Sequence, residues 1–409
     1  MVKERLSQVR LGFWSAFTGA LMLALAGIAY LRYTRGLGAV THLSDSFPWG
    51  LWIGFDVLCG VGLAAGGFAV TATVHILHLK DFKPIVRPTV LTAFLGYLLV
   101  IVALMFDLGK PWNIWHPIIM WNPHSVMFEV GWCVMLYTTV LSLEFAPVVI
   151  ERFRDRFKLD WMLRILRTVT PVLVILGVIL STLHQSSLGS LFLILPEKVH
   201  PLWYTPILPV LFFVSALAAG IAMTVVESWF SKRVFGKPLE THLLSRLSRA
   251  SVVVLALFLV LRLRDLVVRD ALSTIWPLSK VSVMFLLEVG LGVVVPMVLL
   301  ASERYRESPR RLAVAQGLVV LGFIFHRLNV SVTAVEAATG RSYIPSITEF
   351  VVSAGLVAVG MTIFVLACKY LSVFPEGPVA EVERKRLLEA DVVPGTTHAR
   401  DVMRAFDRS

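Results

Sequence analysis

The sequence predicts an all-α polytopic membrane protein of about ten transmembrane helices, built as two parallel-repeat four-helix bundles with one extra helix at each end. Three observations predict it. Of 409 residues, 57% are apolar and only 16% charged, with a mean hydropathy of +0.77, whereas soluble domains carry roughly a quarter charged residues. Ten apolar segments are each long enough to cross ~30 Å of hydrocarbon as a helix. Short motifs recur in order along the chain. Together these exclude a soluble enzyme, a disordered chain and a disulfide scaffold. The net charge of +11 calls for no nucleic acid, because in such a chain the distribution of charge matters more than its sum.

The predicted spans are 12–33, 49–77, 90–107, 124–148, 168–187, 204–228, 246–266, 281–301, 311–330 and 346–372. Span 1 follows a basic stretch, as a signal peptide would, but its apolar run is too long for one and reads as an anchor. The expected organisation is an N-terminal segment with the first helix (1–33), a first four-helix bundle (49–187), a second (204–330), a last helix (346–372) and a tail (373–409). The tail holds a short helical stretch at 382–389.

Lys and Arg set the orientation. The N-terminus, the even-numbered connections and the tail hold 28 of the 38, and the odd-numbered connections 10. The positive-inside rule then places both termini in the cytoplasm. The opposite face holds FPWGLW (47–52), KPWNIWHPIIMWNPH (110–124) and EKVHPLWYTP (197–206), most of whose aromatics read as an interfacial belt.

The repeat supports two units. Leu63-Ala64-Ala65-Gly66 recurs as Leu217-Ala218-Ala219-Gly220, Ser125-Val126-Met127-Phe128 as Ser282-Val283-Met284-Phe285, and Val174-Ile175-Leu176-Gly177 as Val319-Val320-Leu321-Gly322. The last match sets His184 opposite Asn329 and Ser186 opposite Ser331. Equivalent spans run the same way, which implies an axis along the membrane normal. The small residues of spans 2 and 6 favour close helix approach.

Ionisable side chains inside a membrane are costly and mark function by default. Asp56 with Trp52 (span 2), Asp107 (span 3), His124 and Glu129 (span 4) and His184 and Gln185 (span 5) gather in the outer half of the first bundle. Glu288, His326, Arg327 and Asn329 do so in the second. The bland reading of Arg262, Arg264 and Asp265 is interfacial or mutually neutralised charge, and that of Arg327 with Glu288 is a structural pair. The inner half offers His75, Glu144 and Glu227 at span ends, with Thr71 and Thr73 between, and no chain of protonatable groups crosses the membrane.

Acids, an imidazole and Trp beneath one surface suit a quinone. Its carbonyls need donors, its reduction consumes two protons, and its tail needs an apolar groove. A b-type haem wants two histidines facing each other on helices; His124, His184 and His326 share a depth, but a second haem finds only His75. Cys59, Cys133 and Cys368 have no short spacing, so neither an iron–sulfur cluster nor a covalent haem is expected in this chain.

FPWGLWIGFDVLCGVGLAAGG, DLGKPWNIWHPIIMWNPHSVMFEVGW and STLHQSSLGSLF resemble, as a set, the membrane subunit of polysulfide-reductase-type complexes, the NrfD family, in the ten-span branch of the HybB and DsrP subunits. The resemblance covers about residues 10–372. It implies a haem-free anchor that binds menaquinone or ubiquinone in its first bundle. It further implies a periplasmic four-cluster, ferredoxin-like iron–sulfur subunit that connects the quinone to a catalytic or cytochrome partner. Asp107 matches the family's acid by position, and His184 sits where other branches carry a Tyr. The expected roles follow: His184 holds one carbonyl, Asp107 or Asp56 orients and protonates it, and Glu129 relays protons. The chain alone holds no redox centre. The alternatives are a proton-coupled transporter, which predicts a midplane site and broken helices, a haem b quinol–cytochrome subunit, and a purely structural anchor.

Overall fold

The computed structural model describes residues 13–45, 47–76, 78–236 and 241–374. Within them lie ten long helices: span 1 Phe13–Arg35, span 2 Trp52–His75, span 3 Lys83–Asp107, span 4 Val126–Phe157, span 5 Asp160–Leu193, span 6 Leu208–Phe235, span 7 Thr241–Val268, span 8 Lys280–Ala301, span 9 Pro309–Thr339 and span 10 Ile347–Tyr370. Each overlaps the segment expected from the sequence. The tail expected over 373–409 lies outside the described residues except for its first two.

Nine of the ten are long and apolar enough to cross a membrane. Span 7 is the tenth. Its 28 residues reach about 42 Å at 1.5 Å per residue. Val253, Leu257, Val260 and Val267 turn outward from it, while Ser248, Ser251, Leu255, Phe258 and Arg262 turn inward. An apolar stripe facing out and polar groups facing in is the pattern that hydrocarbon demands.

Several helices outrun their apolar cores. Span 3 begins at Lys83 with proline in its first turn, where a missing N–H is harmless. Spans 4 and 5 run for 32 and 34 residues. Span 9 continues to Thr339 and stops at Gly340, whose φ of +66° is the left-handed C-terminal conformation glycine favours.

The helices are not uniform. Trp52–Val57, Gly290–Val294 and Asn329–Thr333 are π-helical. Such wide turns insert a residue into the helix and recur at functional sites. Two of them carry Trp52, Asp56, Asn329 and Ser331. Hydrophobic periodicity cannot register them, because they shift the phase by one residue within an apolar run.

Span 2 lies against spans 3, 5 and 6, and span 6 against spans 2, 5, 7 and 9. Spans 2 and 6 therefore share a contact, alongside those of span 5 with span 6 and of span 2 with span 9, and the repeated motif makes the closest part of it. A Cβ on Gly66 would stand 2.6 Å from the carbonyl oxygen of Gly220, and one on Gly220 would overlap the backbone of Gly66. Lipid supplies little hydrophobic drive between helices, so backbones this close substitute dispersion contacts. Gly292 of span 8 and Gly322 of span 9 meet in the same way.

Spans 1 and 10 lie against each other, and span 10 also touches span 3 and the start of span 2. For orientation, the connections 36–51, 108–125, 194–207, 269–279 and 340–346 form the tryptophan-rich end of the molecule, and the others the arginine-rich end.

Candidate functional site

Span 5 is regular, so Ser181, His184, Gln185 and Leu188 share one face, and all four are buried. The Tyr97 hydroxyl of span 3 lies 2.8 Å from His184 Nδ1, and this is its hydrogen bond among the described residues. Donation from the hydroxyl to Nδ1 leaves the ring proton on Nε2. The other tautomer would strand both the phenol hydrogen and the Nε2 lone pair. Nε2 is itself buried without a partner, as are Gln185 Oε1, Ser181 Oγ and the Tyr137 hydroxyl of span 4. Gln185 Nε2 donates to the Val61 carbonyl of span 2 at 3.1 Å. The Tyr137 ring stands edge-on to Tyr97 at 4.6 Å between centroids. Each unmatched polar atom costs about 1–3 kcal/mol if left dry. Four of them on two adjacent helices mark a place for a polar ligand or water.

Glu129 accepts from Ser187 at 2.5 Å, one turn beyond His184, and is otherwise exposed. His124 is exposed in the connection before span 4 and joins no cluster.

Asp107, Asp56 and Trp52 belong to a different place. Ten residues of span 3 separate Tyr97 from Asp107, about 15 Å along the axis. Asp56 accepts from Ser353 of span 10 at 2.6 Å. Trp52 Nε1 donates to the Glu349 carbonyl at 3.2 Å. Asp107 Oδ1 is buried without a partner. Arg32 of span 1 closes the end of span 3, donating to Phe106 and Leu108 carbonyls at 2.6 and 2.5 Å. Spans 1 and 10 thus complete this acidic cluster rather than merely flanking the bundles. His184 and the two aspartates do not share one pocket, so a single constellation of the three does not form.

Glu349 anchors that region. Its carboxylate accepts from the His42 and Ser346 amides, at 3.1 and 2.7 Å, and from the Tyr343 hydroxyl. Tyr343 lies between spans 9 and 10; burial, and then the hydrogen bond to Glu349, pushes its phenol well above the usual tyrosine range, so it remains a donor. Glu349→Ala should strand three donors and destabilise the chain by about 2 kcal/mol or more; thermal unfolding in detergent checks this, and an unchanged midpoint would contradict it.

In the second bundle Glu288 is the hub. Its carboxylate accepts from Trp203 Nε1 at 2.8 Å and Asn329 Nδ2 at 2.7 Å, and meets His326 Nδ1 at 2.8 Å. Arg327 does not pair with it. The guanidinium lies over the Phe212 and Phe323 rings at 3.6 and 4.4 Å and donates to the Phe212 carbonyl. Such cation–π contacts replace part of the lost hydration. Arg262 is fully buried and donates to the Leu202 carbonyl of the 194–207 connection at 2.7 Å. Asp265 pairs with Arg269 and Thr205, and only Arg264 faces outward.

The sequence reading missed Tyr97, Tyr137 and Ser181 of the first bundle, and Arg32, Glu349, Ser353 and Tyr343 of the acidic cluster. Tyrosines and serines inside apolar spans look like ordinary filling, and Arg32 and Glu349 look like span-end charges. One available signal was a charge just inside the same end of two helices, Arg32 in span 1 and Asp107 in span 3.

The family model described as "Polysulphide reductase, NrfD" matches residues 39–336. The chain is 34% identical over 364 residues to the probable Ni/Fe-hydrogenase 2 b-type cytochrome subunit of Escherichia coli K12, covering 87% of this chain and 91% of that one. It is 28% identical to the integral membrane subunit of menaquinone reductase of Nitratidesulfovibrio vulgaris, covering 93% and 96%. It is 23% identical to the integral membrane subunit of the Hdr-like menaquinol oxidoreductase of Archaeoglobus fulgidus, covering 89% and 94%.

The word cytochrome invites a test for haem. A haem b wants two facing imidazoles. The cavity beside Glu288 is lined by one histidine, His326, and the cavity beside Glu227 by none. Neither of these two cavities offers the pair of histidines that a bis-histidine haem needs.

Proposed function

The chain belongs to the polysulphide reductase NrfD family, and from that premise we propose that it is the quinone-binding anchor of a respiratory redox complex. It passes electrons between menaquinone or ubiquinone and an external iron–sulfur subunit docked on the tryptophan-rich, periplasmic face. Both termini then lie in the cytoplasm, and a catalytic or cytochrome subunit completes the complex. The relatives named for menaquinone reductase and menaquinol oxidoreductase support this reading.

The observation that carries it is the His184 imidazole, buried, held by Tyr97, with its Nε2 hydrogen unmatched. A quinone carbonyl is an acceptor without a hydrogen of its own, and Nε2–H is the donor it requires. Gln185, Ser181 and Tyr137 supply further polar atoms around it. Bound there, a quinone supplies the two-electron carrier that the chain itself lacks. Glu129 accepts from Ser187 on the helix of His184 and is otherwise exposed, which suits a relay between that helix and the tryptophan-rich side. Asp56 and Asp107 sit farther along spans 2 and 3 toward the tryptophan-rich end, with Asp56 held by Ser353 and Asp107 Oδ1 buried, so they act at one remove from the carbonyl.

Tyr97→Phe tests the tautomer argument. Without the phenol the ring proton is free to move to Nδ1, and quinol-dependent turnover of the assembled complex should fall about tenfold, the equivalent of one hydrogen bond of about 1.4 kcal/mol. Unchanged turnover would remove Tyr97 from the site. For a transporter the expected hallmark is a midplane site; the breaks in spans 2 and 9 meet at Gly54 and Ser331, near the tryptophan-rich ends of those helices.

A further inference from the structure

We infer that the connection between spans 3 and 4, residues 110–124, is seated in the lipid interface at the tryptophan-rich end, with its exposed apolar side chains among the glycerol and upper acyl groups of the bilayer. This seat goes beyond the quinone chemistry and does not depend on it.

The three tryptophan-rich stretches fold differently. Trp52 and Trp203, from the other two, are buried, and their indole N–H groups donate to the Glu349 carbonyl and the Glu288 carboxylate. Trp112 and Trp121 are each 66% exposed, and Trp115, Ile118, Ile119 and Met120 are exposed with them. Between Lys110 and His124 the one ionisable residue is His116. An apolar surface of this kind marks a place that membrane or another protein covers. The backbone is prepared for poor hydration. Two short turns, Pro111–Asn113 and His116–Ile118, bond the amides of Asn113, Ile114, Ile118, Ile119 and Met120 within the loop, as a segment leaving water requires.

Height decides between the two covers. Pro117 rests on Gly131 of span 4, whose Cβ would lie 3.7 Å from it, and the Pro117 carbonyl accepts from Trp132 Nε1 at 2.9 Å. The Trp121 ring packs on Trp132 and Phe128, at 5.0 and 5.6 Å between centroids. Span 4 begins at Val126, so Trp132 lies ~9 Å along the axis from its start. The loop therefore folds back beside the helix instead of standing above it. The edge of the hydrocarbon falls at the same level. Near the arginine-rich end Glu151 of span 4 pairs with Arg167 of span 5 at 3.4 Å. From that pair, ~30 Å of hydrocarbon takes about 20 residues of helix and ends near Gly131 on span 4 and Ser187 on span 5. Ser187 and Glu129 are hydrogen-bonded there, so the two helices reach that level together. The exposed side chains of the loop continue the outward faces of Leu98 and Val102 on span 3 and of Leu136 and Leu143 on span 4, which face hydrocarbon. A subunit docked on the end of the molecule would have to descend ~9 Å beside span 4 to cover them, whereas the lipid interface already lies at that depth and is where tryptophan concentrates.

The test uses the assembled complex in liposomes. A nitroxide attached to Ile119→Cys is read by electron paramagnetic resonance for collisions with oxygen, which concentrates in lipid, and with a neutral nickel chelate, which stays in water. The unsubstituted complex, treated alike, gives the background from the native cysteines. An element sunk into the headgroup and acyl boundary should show an oxygen-to-chelate collision ratio at least about threefold above that of a free nitroxide in buffer. A ratio equal to that of the free nitroxide places the loop in water, and a label shielded from both reagents places it under a partner subunit; either result overturns the inference. A second measurement needs no substitution. A phospholipid carrying a diazirine at the top of its acyl chain, photolysed with the unmodified complex, should leave lipid adducts on residues 111–121 by mass analysis, and a loop free of adducts overturns the inference as well. Quinone retained by the purified complex tests the quinone reading by itself, so the two failures are distinguishable.

Discussion

His184→Ala should abolish quinone-linked electron transfer, by at least a hundredfold, while the protein still inserts and assembles with its partners. The magnitude follows from removing a pre-positioned donor in a dry site, which costs about 100- to 1000-fold where it has been measured in enzymes. Assembly should survive because the ring makes one side-chain hydrogen bond, to Tyr97. The variant strands that hydroxyl at a cost of about 1–3 kcal/mol, which a ten-helix chain tolerates. Quinol oxidation in membranes, normalised to the amount of assembled complex, is the readout. Turnover within a few-fold of the parent would exclude His184 as the carbonyl donor and shift attention to the Asp56–Asp107 cluster.

Gly220→Leu should prevent the two halves from closing. A Cβ at Gly220 falls onto the backbone of Gly66, which has no side chain to move aside. Relief requires spans 2 and 6 to separate, and it would uncouple Gly62 from Phe323 further along the same contact. Overpacking in a well-filled core costs about 1–3 kcal/mol when side chains can yield. Here backbone meets backbone, so the effect should exceed that range and appear as loss of accumulated protein or a large drop in unfolding temperature. Gly38→Leu, where nothing lies within 4 Å of a Cβ, is the control that should leave both unchanged.

Most of the architecture was legible because hydrocarbon imposes it. Every expected span corresponds to a helix, since about twenty apolar residues in a row have few other uses. Span 7 was recognised despite its charges because they cluster at its ends. The repeated Leu-Ala-Ala-Gly motif also spoke correctly for close approach, and the structure shows the two copies meeting each other. The π-helical turns were not legible, because one inserted residue leaves apolar composition unchanged.

The site was legible only in its rare residues. His184, Asp56, Asp107 and Glu288 stand out in a membrane because charge there is costly. Their grouping was not, because apolar composition does not fix where a helix ends: span 5 was expected to stop at 187 but runs to Leu193, which sets His184 deeper. His184 and Asp107 were expected together from their place near one surface, yet about ten residues of helix separate Asp107 from the partner of His184. Gln316, which donates to Ser248 and Ser251 across spans 9 and 7, was passed over with them for another reason. Small polar residues cost little when they bond within a bundle, so they carry no alarm until helices 7 and 9 are seen side by side.

Quinone content decides the central claim most directly. The complex is purified in mild detergent as the parent and as His184→Ala, extracted with solvent, and quantified by mass analysis alongside a pyridine haemochrome assay. The account predicts about one quinone per chain in the parent, a large loss in the variant, and no haem b travelling with this chain. Equal quinone in both, or stoichiometric haem b that follows this chain through purification, would contradict it.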